Sequence, residues 1–208
     1  MIVKQLIVGN MGVCCYILGC EETLNGVVID PGGNIPDIMA TVEESGLKLK
    51  YIIATHGHSD HVCGNRELRE KTGAEIVMHK EDGDFFGKEE VQKYFSVFGL
   101  DHSPSPDITV KDGDAIEFGK EKLIVIHTPG HTPGGICLYA KPHLFTGDTL
   151  FAGGIGRTDF PGGSQEELFS SIKERLFNLP DDTVVWPGHG YGGNSSTIER
   201  ERAENPFF

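Results

Sequence analysis

Residues 55–61 read Thr-His-Gly-His-Ser-Asp-His. Imidazole nitrogens and carboxylate oxygens are the donors that Zn, Fe and Mn accept in mixed sites. His56 and His58 are two residues apart, so on an extended backbone they project to the same side. Asp60 and His61 follow where the chain turns, and can address a second spot nearby. Two pairs of donors on one short turn suggest two metal ions. Such a pair supplies hydrolysis by a water that ionises near pH 7, with no serine or cysteine nucleophile needed. Three later positions share one placement: His131 in Thr-Pro-Gly-His-Thr-Pro-Gly, Asp148 in Thr-Gly-Asp-Thr and His189 in Pro-Gly-His-Gly. Each follows an apolar run and is braced by Gly or Pro, which leaves little freedom to lose on binding a metal. Taken singly each is weak, because a lone His beside Gly is more often structural.

The elements that must carry these residues follow from hydrophobic pattern. Tyr51 to Ala54 is a short apolar run that reads as a buried strand ending at the histidine turn. Val62, Leu68 and a stop at Gly73 predict a helix of about three turns just after it. Upstream, Ile2 to Val8 and Val13 to Leu18 read as strands joined through Gly9-Asn10, and Val27 to Ile29 as a third. Asn34 is a candidate cap for a helix carrying Ile35, Ile38, Met39 and Val42 up to Gly46. Ala74 to Met78, Ala115 to Phe118, Lys122 to Ile126, Ile136 to Ala140, Leu144 to Thr146 and Thr183 to Trp186 read as further strands. Ser164 with Glu167 makes a capping box for a helix with Leu168, Ile172 and Leu176 on one face, ending at Pro180. Ser196 with Glu199 opens a last short helix that stops at Asn205-Pro206. Strands in tandem followed by strand–helix alternation predict a mixed α/β chain with helix-covered sheets. Residues 81–107 break the pattern with Phe85, Phe86, Tyr94, Phe95 and Phe98. They read either as a helical excursion packed on the body or as an aromatic flap over the site.

Length and charge bound the function. At 208 residues the chain fits one domain, 1–208, with a sizeable core. Eighteen basic against 31 acidic residues give a net charge of −13. Such a field disfavours nucleic-acid and anionic membrane partners. The five cysteines are odd in number and lack disulfide or metal spacing. No signal peptide and no membrane-spanning run is apparent, so the expectation is a cytoplasmic protein.

The HxHxDH run is the signature of the metallo-β-lactamase superfamily, and His131, Asp148 and His189 match its remaining ligand positions in order. That resemblance implies an α/β fold, a four-layer αββα sandwich with the metals at one edge between the sheets. It implies two divalent ions, zinc first with iron or manganese as alternatives. His56, His58 and His131 would hold one, Asp60, His61 and His189 the other, and Asp148 would bridge them. Thr146-Gly-Asp-Thr-Leu-Phe151 followed by Gly153-Gly-Ile-Gly-Arg157 resembles the glyoxalase II branch, the hydroxyacylglutathione hydrolases. By position, Arg157 and Tyr191 would contact the glutathione part of the substrate. His79, His102, His127 and His143 match no ligand position, and His127 alone is close in sequence to the site.

The implied reaction is cleavage of S-acylglutathione, such as S-D-lactoylglutathione, or a related thioester by a metal-bridging hydroxide. Asp60 would act catalytically by orienting it. Two departures qualify the likeness. The chain ends 19 residues after His189, where full-length glyoxalase II enzymes continue into a helical domain that grips glutathione. Asp159 stands where an aromatic contact is usual. The resemblance is therefore to short, single-domain glyoxalase II-like hydrolases. The competing reading is a persulfide dioxygenase of the same fold, with one iron on His56, His131 and Asp148. A metallo-nuclease and an inert metal-binding protein are weaker competitors, the first because of the net acidity. The oligomeric state is not legible.

Overall fold

The computed structural model describes residues 1–208. The first half of the chain builds a six-stranded sheet in sequential order. Its strands are β1 (Ile2–Val8), β2 (Val13–Gly19), β3 (Asn25–Ile29), β4 (Lys48–Ile53), β5 (Glu75–His79) and β6 (Ile108–Val110). Strands β1 to β3 are antiparallel, whereas β3 to β6 run parallel and so require the long crossovers that helices fill. The second half supplies β7 (Ala115–Phe118), β8 (Glu121–His127), β9 (Ile136–Ala140) and β10 (His143–Gly147). A small ribbon follows, β11 (Leu150–Phe151) with β12 (Gly154–Ile155), then β13 (Val184–Pro187) and β14 (Ser196–Thr197). Its six-stranded sheet runs β14-β13-β10-β9-β8-β7, with β10 and β13 parallel.

Alternation along β2 explains the layering. Cys14, Tyr16 and Leu18 face Phe118, Leu123, Val125, Leu138 and Phe145 of the opposite sheet. Val13, Cys15 and Ile17 turn the other way, onto helices α1 (Ile35–Glu44) and α3 (Asn65–Thr72) through Ile35, Ile38, Val42 and Leu68. A strand buried on both faces reads as a continuous apolar run, as this one does. The outer face of the second sheet is covered by Leu168, Ile172, Leu176 and Ile198. These come from α6 (Gln165–Ser170), its continuation in wider turns (Ser171–Leu176), and α7 (Ile198–Glu204). The result is the expected αββα sandwich. No helix is long and apolar enough to cross a membrane.

Several local expectations change. The helix after the histidine turn breaks in two, α2 (Ser59–Val62) and α3, at Cys63-Gly64. Gly64 N–H donates to the Pro31 carbonyl at 3.0 Å, and a Cβ at Gly64 would lie 2.3 Å from that oxygen. Close backbone contact thus overrides helix propagation there. Asn34 does not cap α1; it sits at φ 52°, accepts from Gly9 N–H at 2.9 Å and donates to Asp37. Helix α7 is capped by Thr197, one residue later than expected, because Ser196 is spent on β14 and on Glu201. Residues 80–98 are helical: α4 (Lys80–Phe86), α5 (Glu89–Phe95) and one 3₁₀ turn, Ser96–Phe98. All five cysteines are free.

Candidate metal centre

Ligand candidates gather where strands of both sheets end. Strand β4 runs into Ala54-Thr55 and delivers His56, while the start of α2 delivers Asp60 and His61. The turn after β8 carries His131, the end of β10 carries Asp148, and the end of β13 carries His189. The sheets are fastened to each other here. Ile136 N–H donates to the Thr55 carbonyl at 2.9 Å, and Cys14 N–H to the Gly188 carbonyl at 2.8 Å.

Three groups of three result: Asp30, His56 and His61 form one, and the other two share no residue. The candidate ligand atoms of His56, His58 and His131 lie within 4.8 Å of one another, and so do those of Asp60, His61 and His189. His58 Nδ1 stands 2.9 Å from His131 Nε2, and His61 Nε2 stands 3.2 Å from His189 Nε2. Asp148 lies between the latter two groups. Its Oδ1 is 3.4 Å from His61 Nε2, and its Oδ2 is 3.6 Å from His131 Nε2 and 3.5 Å from His189 Nε2. The structure brings all seven sequence-predicted positions into one cluster.

Hydrogen bonds fix how the rings present themselves. Asp30, buried at the end of β3, accepts from Thr55 N–H at 2.8 Å, Thr55 Oγ1 at 2.6 Å and His61 Nδ1 at 2.9 Å. His61 therefore turns Nε2 to the centre, held by a carboxylate in the manner of metal-bound histidines. With the Thr55 hydroxyl proton committed to Asp30, His56 Nδ1–H donates to Thr55 Oγ1 at 3.1 Å. That leaves His56 Nε2 a lone pair with no partner, in a buried position. Likewise His131 Nδ1–H donates to the Arg157 carbonyl at 2.7 Å and frees Nε2. Asp148 Oδ1 is also buried without a partner. Buried polar atoms left unpaired are costly, and a cluster of imidazole lone pairs and carboxylate oxygens fits a pair of divalent ions.

Electrostatics agree with that chemistry for His56, His58 and Asp60, while His61 holds a proton that an ion would have to displace. Burial, then neighbouring imidazoles, pushes His56 and His58 well below the ordinary histidine range, so both are neutral near pH 7. Burial alone would raise the Asp60 carboxyl, yet His61 and His189 outweigh it and hold it well below the carboxylate range. His61 is opposite: burial pulls it down, but Asp148, Asp60 and Asp30 lift it to about 10.

The centre opens into a pocket of about 190 Å³. One wall is aromatic: Phe86, Phe95 and Phe160 surround the His58 ring at centroid distances of 5.4, 5.0 and 5.6 Å. The 81–107 segment is thus helical as far as Phe98, and its Phe95 and Phe98 line the pocket. Arg157 and Tyr191 also line the pocket. Arg157 stacks over Phe160 at 3.8 Å and is clasped by both carboxylate oxygens of Asp159 at 2.7 Å. Tyr191 is exposed and stacks on the His189 ring at 4.8 Å.

Sequence reasoning missed two carboxylates. Asp30 had a usable signal, a carboxylate at a strand end before Pro-Gly-Gly, the same placement as Asp148. Asp82 had none; it reaches the site only because α4 packs against it. Among the other histidines, His127 Nε2–H donates to the Pro133 carbonyl at 2.9 Å and stacks on His79 at 4.1 Å. His102 approaches Ser59, beside His58, at 3.4 Å.

The pattern of the metallo-beta-lactamase superfamily matches residues 11–189. Hydroxyacylglutathione hydrolase GloC of Haemophilus influenzae is 39% identical over 93% of this chain and 91% of that protein. The mitochondrial persulfide dioxygenase ETHE1 of Homo sapiens is 36% identical over 92% of this chain and 69% of that protein. The crystal structure of TTHA1623 in a di-iron-bound form superposes with a TM-score of 0.84, at 32% identity, over 99% of this chain and all of that one.

Proposed function

Because this chain belongs to the metallo-beta-lactamase superfamily, we propose that it is a binuclear metal-dependent hydrolase acting on S-acylglutathione or a related thioester. The observation that carries the reading is the meeting of two three-residue donor sets at Asp148, with buried lone pairs on His56 and Asp148 left for ions. In this reading His56, His58 and His131 would hold one ion and Asp60, His61 and His189 the other, with Asp148 available to both. Divalent ions bound there supply a water that ionises near pH 7 and Lewis-acid polarisation of a carbonyl. Zinc is the first candidate, and iron or manganese suits the same donors.

The chain's own groups do the rest. Asp60 stays ionised beside His61 and His189 and accepts a hydrogen bond from the attacking water, orienting it. Phe95, Phe98 and Phe160 line the pocket and offer an apolar surface to the acyl part of the substrate. Arg157 and Tyr191 line the pocket, and in this reading they would meet the thiol-carrying part of the substrate. The leaving thiol ionises near pH 8.5, so it departs as thiolate with little help from an acid. That suits a thioester better than an amide. The likeness to the GloC hydrolase, over 91% of that protein, supports the same chemistry.

Thiol release from S-D-lactoylglutathione and from a small acyl thioester, with metal analysis of the same sample, tests the proposal. Two ions per chain with no hydrolysis of either ester would overturn it. The persulfide dioxygenase reading has its own support in the ETHE1 relative at 36% identity. One iron per chain with oxygen uptake on glutathione persulfide, and no thioesterase activity, would favour it.

A further inference from the structure

Asp82 lies in α4, far in sequence from every candidate ligand, and is fully buried. Its carboxylate accepts three hydrogen bonds and touches no cation. Oδ2 accepts Gly57 N–H at 2.8 Å and Thr132 Oγ1 at 2.9 Å, and Oδ1 accepts Gly134 N–H at 2.6 Å. Gly57 immediately precedes His58, and Thr132 immediately follows His131. One oxygen atom therefore joins the neighbours of the two histidines whose nitrogens stand 2.9 Å apart.

From this geometry we propose that Asp82 is a positioning residue for the three-histidine half of the centre. It ties the His56–His58 loop to the His131 loop so that His58 and His131 converge on one ion. Three donors and no acceptor face it, so only an acceptor-only group satisfies the position, and a carboxylate is that group. There is no slack in the packing: a Cβ at Gly134 would lie 2.3 Å from Asp82 N and 2.8 Å from its Oδ1. The other half of the centre has its own anchor, Asp30, which holds His61 and makes no contact with His58 or His131. Asp30 reaches the three-histidine half only indirectly, through Thr55 and His56, whereas the tie between the His58 and His131 loops is made by Asp82. This inference rests on the two-metal reading above.

The test is stepwise removal of Zn(II) from the loaded full-length protein by graded chelator, in wild type, Asp82→Ala, Asp82→Asn and Thr132→Val. Removal of such outer partners weakens metal binding about 10- to 100-fold. In Asp82→Ala one of the two ions should leave at chelator concentrations lower by about that factor, while the other leaves as in wild type. Asp82→Asn keeps one oxygen and should fall between wild type and Ala. Thr132→Val removes one donor but leaves Asp82 its two backbone partners. It should weaken the same ion by a smaller factor, and it serves where Asp82→Ala does not fold. In a His189→Ala background, which lacks the second ion, the remaining ion should be the sensitive one. Equal weakening of both ions would mean a general packing role and overturn the proposal, as would unchanged release in both Asp82→Asn and Thr132→Val. A wild type holding a single ion would sink the two-metal reading instead. The effect of Asp82 on that ion would still decide the present inference.

Discussion

His131 and Arg157 are joined through backbone: the imidazole Nδ1–H of His131 donates to the carbonyl of Arg157 at 2.7 Å. The Arg157 side chain leaves in the other direction, over Phe160 and onto Asp159. One residue thus orients a candidate ligand with its main chain and lines the pocket with its side chain. The two duties can be separated by mutation.

Arg157→Ala should keep the full metal content of wild type, since the carbonyl stays. Its guanidinium is exposed and already clasped by Asp159, so meeting a substrate carboxylate means exchanging one partner for another, and exposed pairs contribute little net. KM for S-D-lactoylglutathione should rise only about two- to fivefold with kcat unchanged, the signature of lost uniform binding. Steady-state kinetics with metal analysis checks both halves. A large fall in kcat or in metal content would show that the side chain and the His131 bond are not separable.

Asp148→Ala should be more damaging than His56→Ala. Asp148 stands within 3.4–3.6 Å of nitrogens in both donor sets, while His56 belongs to one. The expected outcome is loss of both ions and of turnover at Asp148, against loss of one ion and of turnover at His56. Metal content per chain decides it, and an Asp148→Ala protein with two ions and full activity would end the bridging role.

The seven ligand candidates were readable because they are local: HxHxDH is a single turn, and His131, Asp148 and His189 each sit in a short Gly- or Pro-braced sequence after a strand. The apolar runs of β2 and its neighbours made a mixed α/β chain with helix-covered sheets readable, while the four-layer sandwich followed from the family resemblance. What escaped depends on contacts between distant segments. Asp82 gains its role from loops 25, 50 and 52 residues away. The break at Gly64 arises from the approach of Pro31, and the pairing of Arg157 with Asp159 gives the unusual acidic residue at 159 a partner. Strands β6, β11, β12 and β14 are two or three residues long, too short to leave a period.

His61 predicts a pH signature for the metal-stripped protein. Its pKa lies near 10 in the folded chain against an ordinary 6.5, because three carboxylates outweigh burial. Between those values the folded chain binds a proton that the unfolded chain has released. The stabilisation is therefore complete below about 6.5 and is lost as pH rises toward 10, at up to roughly 1.4 kcal/mol per pH unit. Urea unfolding of the metal-stripped protein at steps across that window should show the decline, and His61→Gln should flatten it. Loading with metal, which takes the His61 lone pair, should flatten it as well. Identical slopes in wild type and His61→Gln would refute the assignment.

Gly188→Ala tests the geometry of the centre without altering any ligand. Gly188 lies between β13 and His189, and a Cβ there would sit 2.2 Å from Asp148 Oδ1 and 2.8 Å from the Gly147 carbonyl carbon. Neither side can yield easily. Gly188 N–H is bonded to the Gly147 carbonyl at 2.7 Å, and its own carbonyl accepts from Cys14 N–H at 2.8 Å. The carboxylate of Asp148 must therefore swing away from its place between the two donor sets. Overpacking of this kind costs about 1–3 kcal/mol of stability, which the metal-stripped protein should display in its unfolding midpoint. Activity should fall further than stability explains, by about a hundredfold or more, because displacement of about 1 Å at reacting groups costs that much. Gly154→Ala is the control, since its Cβ would meet only Phe151 carbons at an ordinary 3.8 Å. Metal content, unfolding midpoint and kcat would be measured for both variants beside wild type. Wild-type activity in Gly188→Ala would mean that Asp148 need not stand where the structure puts it.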